Sequence, residues 1–98
     1  MANDDGENLR DYPREVVRTR AKLMVNGQWH DCTITNISPV GVRLYLRMNV
    51  HNGKEVRIQI GEFGEYGATV VWSQGDETGL KFDHPPESMT DLVMALAS

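Results

Sequence analysis

Two groups of residues in this chain have the types and spacing to hold a planar, anionic ligand. Arg10 and Arg14 stand four residues apart in Leu9-Arg10-Asp11-Tyr12-Pro13-Arg14, and Asn36-Ile37-Ser38-Pro39-Val40-Gly41 follows after one expected strand-turn-strand unit. An arginine fork donates two parallel hydrogen bonds to phosphate oxygens or to the O6/N7 edge of guanine, and keeps its charge at any physiological pH. In the second group the Asn36 carboxamide can fix the backbone or meet a base edge, and the Ser38 hydroxyl can donate to a phosphate or base. Gly41 can adopt φ > 0, and Pro39 stiffens the turn. Alone, the first group is a pair of surface arginines and the second a plain β-turn. A hairpin between them brings both to one place.

Other side chains are weaker candidates. Arg18, Arg20 and Lys22 alternate along the first strand and read as its solvated face, with Arg18 and Arg20 further candidates for a ligand that borders that face. Trp72 ends Val70-Val71-Trp72 and is either a core aromatic or a platform for a purine, where stacking contributes roughly 1–3 kcal/mol per base. Trp29, beside Asn26-Gly27, reads as a partly exposed packing residue. His30, His51 and His84 lack metal-ligand spacing, and the single cysteine, Cys32, lies on an alternating strand, so all four read as structural. The sequence carries no nucleophile motif, no metal-ligand cluster and no glycine-rich strand-to-helix phosphate loop, and Glu62 and Glu65 in the Gly61–Gly67 stretch would repel a phosphate. The chain reads as a receptor and not an enzyme, without a cofactor.

The elements that must position these residues follow from periodicity. Val17, Thr19, Ala21, Leu23 and Val25 alternate with Arg18, Arg20, Lys22 and Met24, the period of a half-buried strand, and Asn26-Gly27 is a strong hairpin signal. The return strand, Gln28 to Ile37, ends in the Asn-x-Ser-x-x-Gly turn, and a third strand carries Val42, Leu44 and Leu46. Val56 to Ile60, Ala68 to Trp72 and Thr78 to Phe82 complete six short strands, the last two joined by Ser73 to Glu77, which points to a closed or nearly closed antiparallel barrel. After Pro85-Pro86, Met89, Leu92, Val93 and Leu96 follow helical spacing over about 87–97, with Ser88 expected as the cap and Asp91 three residues on. Residues 1–8 are polar and acidic and read as a disordered leader before a domain at 9–98.

Composition narrows the function further. The 98 residues suffice for one small barrel, and 40% hydrophobic with 24% charged residues is ordinary globular composition. No apolar run approaches the roughly 18 residues of a membrane span, and Met-Ala-Asn-Asp-Asp lacks a basic, then apolar, secretory start, so a cytoplasmic location without membrane insertion is the expectation. A net charge of −4 argues against a general DNA or RNA binder. Half of the Lys and Arg nevertheless fall between Arg10 and Lys22, a pattern that suits a compact anion better than a polymer.

The order RxxxR, then [D/N]xSxxG, over roughly Leu9 to Phe82, resembles the PilZ domain, the bacterial receptor module for cyclic di-GMP. The resemblance implies a six-stranded barrel with a terminal helix, cyclic di-GMP as ligand, and Arg10, Arg14, Asn36, Ser38 and Gly41 as its binding residues. It also implies a downstream protein partner in motility, exopolysaccharide or biofilm control. Arg14-Glu15-Val16-Val17-Arg18 fits RxxxR as well; Arg10/Arg14 is preferred because Tyr12-Pro13-Arg14 resembles the family's approach to the first strand, whereas Arg18 alternates within it. Asn36 departs from Asp in offering a donor edge as well as an acceptor. Two alternatives stand beside this reading: a PilZ-like interaction module that does not bind nucleotide, and a small barrel for single-stranded nucleic acid, which would want more basic residues and exposed aromatics.

Overall fold

In the computed structural model, which describes residues 12–98, six antiparallel strands close on themselves. They are β1 (Glu15–Val25), β2 (Gln28–Ser38), β3 (Gly41–Tyr45), β4 (Glu55–Gln59), β5 (Glu65–Gln74) and β6 (Glu77–Phe82). The barrel order is β1-β2-β3-β6-β5-β4, and Leu23 opposite Ile58 lies in the β1–β4 seam that closes it. Closure removes the sheet edges that an open six-stranded sheet would expose. The expected leader at 1–8, and Arg10, lie outside the described residues.

Alternation builds the interior. Leu23, Ile34, Ile37, Leu44, Ile58, Ile60 and Val70 are almost completely buried, while Arg18, Arg20 and Lys22 stay outside as expected. Each such side chain contributes about 1.5–3 kcal/mol by leaving water. Asn26 and Gly27 both have positive φ, 52° and 82°, the geometry whose twist matches a two-residue hairpin.

β5 is longer than the sequence suggests. Glycines at 61, 64 and 67 read as a connection, but only Gly61–Phe63 forms a 3-10 turn, and Gly67 already pairs with Arg57 inside the ladder. The β5–β6 connection is likewise shorter than Ser73 to Glu77: Gln74 pairs with Glu77, leaving Gly75-Asp76 as the turn, with Gly75 at φ 61°.

At the C-terminus a 3-10 turn, Pro86–Met89, leads into α1 (Thr90–Ala97). Met89, Leu92 and Val93 are buried and Leu96 packs beside them, so the expected stripe joins the core, with α1 lying against β1 and β2. Ser88 does not cap α1. Its hydroxyl donates back to the Pro85 carbonyl at 2.7 Å, because the 3-10 turn places Ser88 before the helix proper and Met89 at its N-cap.

Candidate functional site

Three irregularities fall at one level of the barrel wall. β1 carries an extra residue against β2 between Val16 and Thr19, β2 carries one against β3 at Thr35, and β5 carries one against β6 at Val71. Bulges bend and twist a strand and re-aim its side chains. Beside them the register forms a row around the wall: Val16 opposite Asn36, Asn36 opposite Arg43, Arg43 opposite Gly79, and Gly79 opposite Trp72.

The two sequence motifs meet on this row. Arg14, immediately before β1, donates through Nε to the Asn36 Oδ1, across 22 residues of sequence. Desolvation, and then repulsion from Arg43, lower the Arg14 pKa, so two guanidinium groups are held within electrostatic reach of each other. Neither forms an ion pair among the described residues. An anion placed between them would relieve that repulsion while gaining both sets of donors.

The turn that ends β2 is built differently from the sequence expectation. Ser38 pairs with Gly41, leaving Pro39-Val40 as a two-residue connection, and Gly41 is not among the residues with positive φ. Gly41 is required by space instead: a Cβ there would run into the Leu80 carbonyl of β6. Ser38 is fully buried, and its oxygen accepts the Val40 N–H at 3.2 Å. It therefore shapes the loop from within, while Asn36, half-buried, presents its side chain to Arg14.

Trp72 is neither a core residue nor a free platform. It is half-buried, and its indole lies across Gly79, where any Cβ would collide with Nε1 and its ring neighbours. The Arg43 guanidinium stands over the same indole, 5.8 Å from its centroid. Arg43 was not singled out by the sequence. It follows Gly41 by two residues in the sequence, but only the β2–β3 register places it cross-strand from Asn36.

Arg18 and Arg20 lie to one side of this row on the exposed outer face. Arg18 belongs to the β1 bulge rather than to a simple alternation, and lines a cavity of about 790 Å³ with Val16, Thr33, Thr35 and Tyr45. Arg20 lines a neighbouring one with Lys22, Thr33, Tyr45 and Arg47; Lys22 is paired with Asp31 at 3.3 Å. Thr33 and Thr35 of β2 thus lie between the arginines of β1 and Tyr45 of β3, with Arg47 just beyond that strand, and the Thr35 hydroxyl donates to the Arg43 carbonyl at 3.3 Å. Tyr45 is held there by Arg47, which donates to its hydroxyl at 3.3 Å, and by Asp76, which accepts from it at 3.4 Å.

The remaining candidates lie elsewhere. Trp29 is 38% exposed. His84 Nε2 accepts the Gly67 N–H at 3.3 Å, and Cys32 is buried with its thiol pushed up to about 12. No cluster of three His, Cys, Asp or Glu side chains suited to a metal occurs among the described residues, and no helix there is long and apolar enough to cross a membrane.

Solved structures with the same fold include the inhibitor of motility MotI/DgrA of Bacillus subtilis, at 17% identity and a TM-score of 0.72 over 89% of this chain and 49% of that one. The PlzA protein of Borreliella burgdorferi in complex with c-di-GMP matches at 17% identity and 0.71 over 99% of this chain and 44% of that one. YcgR of Escherichia coli in complex with c-di-GMP matches at 13% identity and 0.63 over 87% and 44%. The chain spans about half the length of these proteins or less. No curated protein matches it in sequence. The family model for the PilZ domain matches residues 8–97, and the chain belongs to that family.

Proposed function

We propose that the chain is a receptor for cyclic di-GMP that binds the nucleotide on the row around Asn36 and passes the change of surface to a protein partner. The observation that carries this reading is the Arg14–Asn36 contact, which joins the arginine motif to the Asn-x-Ser-x-x-Gly turn. Arg14 and Asn36 bind directly, with Arg10 as the second motif arginine. Ser38 and Gly41 hold the turn that carries Asn36, and Trp72 offers an aromatic face. Arg18 and Arg20 border the site.

Family membership and two neighbours described as c-di-GMP complexes support this reading, and the motility inhibitor among the neighbours supports an output in motility. The role is that of a receptor or adaptor without a reaction of its own. Exopolysaccharide or biofilm control and a cytoplasmic location belong to the same proposal.

Calorimetric titration with cyclic di-GMP, with GMP and a short oligonucleotide as controls, tests it. Saturable binding of cyclic di-GMP alone is expected. Binding of the oligonucleotide, or of nothing, would overturn the receptor reading.

A further inference from the structure

The Arg43–Trp72–Gly79 arrangement does more than line the proposed nucleotide site. Gly79 lets the indole lie flat on β6, so one face of Trp72 is spent against the wall, and Arg43 occupies a position over the ring where a purine would stack. An exposed arginine over an indole is a weak lid, because water competes for its charge. A purine stacked on the ring is the stronger contact. The exchange therefore favours the base.

Arg43 has somewhere to go. It lies cross-strand from Asn36, and Arg14 repels it on that side, so it gains from any acceptor placed near the ring. Guanine presents two acceptors, O6 and N7, to a guanidinium fork, whereas adenine presents a donor at the position of O6.

We propose that Arg43 is a specificity residue: it covers Trp72 in the free chain and, when the nucleotide binds, yields the ring and reads the O6/N7 edge of the guanine stacked there. This rests on the nucleotide reading above.

The test uses Arg43→Gln and Arg43→Lys in a Trp29→Phe background, so that emission reports Trp72 alone. In the free protein, Arg43→Gln should make Trp72 more accessible to acrylamide quenching. Titration with cyclic di-GMP should show at least a tenfold weaker Kd for Arg43→Gln at unchanged Tm. Arg43→Lys, which keeps the charge without the fork, should fall between it and the parent.

The preference for cyclic di-GMP over cyclic di-AMP should shrink in Arg43→Gln, because a glutamine amide matches adenine better than guanine. A Kd within twofold of the parent with an unchanged preference, or a loss matched by a lower Tm, would overturn the inference while leaving the receptor reading in place. Failure of the parent to bind cyclic di-GMP at all would remove both.

Discussion

Arg14 donates through its Nε to the side-chain oxygen of Asn36, and this one contact ties the segment before β1 to the turn that ends β2. Using Nε and Oδ1 for each other leaves the terminal guanidinium nitrogens of Arg14 and the amide nitrogen of Asn36 to meet a ligand. The pair is thus oriented before anything binds, which lowers the ordering cost of binding.

Arg14→Ala is expected to weaken cyclic di-GMP by about 2–3 kcal/mol, the cost of a charge-assisted contact, with the fold intact because Arg14 precedes the strand ladder. Asn36→Ala should lose less. A double-mutant cycle should give a coupling of about 0.5–3 kcal/mol, since two residues in contact do not add. Parent-like binding by Arg14→Ala together with loss in Arg18→Ala would make Arg18 the anchoring arginine.

The barrel was legible in the sequence because its signals are local. Alternation from Val17 to Val25 and the Asn26-Gly27 turn need no knowledge of distant neighbours. Gly41 was legible as a glycine but not for its reason, since the Leu80 carbonyl that excludes a side chain comes from a strand far along the chain. Arg43 was missed for the same cause. Its importance arises from register: β3 sets it between Asn36 on one side and Gly79 on the other, and a bulge in β5 brings Trp72 beneath it. Likewise, Ser88 looked like a cap because the pattern of caps is local, whereas the 3-10 turn after Pro85 that displaces it is not announced by that pattern.

The two glycines of the row should fail differently. Gly41→Ala presses on backbone and should cost about 1–3 kcal/mol of stability through overpacking, read as a lower Tm. Gly79→Ala presses on a side chain that can move, so it should displace Trp72, shifting its emission and weakening the nucleotide, with a smaller loss of Tm. Equal Tm losses in the two would refute the distinction. Ser38→Ala removes the acceptor for the Val40 N–H and should cost about 0.5–1.5 kcal/mol of stability.

Cys32 provides a pH signature. Burial first, and the nearby Asp31 charge second, push its thiol from 9.0 up to about 12. The folded state therefore keeps a proton that the unfolded chain releases, so this contribution is full below about pH 9 and falls as pH rises from there toward 12. The slope is at most about 1.4 kcal/mol per pH unit. Urea unfolding of parent and Cys32→Ala at pH 7 and pH 10.5 should show the parent losing stability faster on the alkaline side. Parallel losses would show that the thiol does not titrate differently in the two states.

Thr78 is the one place in the barrel where removing a polar atom should help. It lies fully buried on β6, cross-strand from Leu44 on one side and Ser73 on the other, and its hydroxyl has no hydrogen-bond partner among the described residues. Burying an unpaired hydroxyl costs about 1–3 kcal/mol, whereas a valine has nearly the same shape and no donor to satisfy. Thr78→Val is therefore expected to stabilise the protein by about 1 kcal/mol, measured by urea unfolding with an unchanged m-value. Thr78→Ser keeps the orphan hydroxyl while removing a packed methyl, and should destabilise by a similar amount. If valine lowered the unfolding midpoint while serine preserved it, the hydroxyl would have to be hydrogen-bonded in the folded barrel.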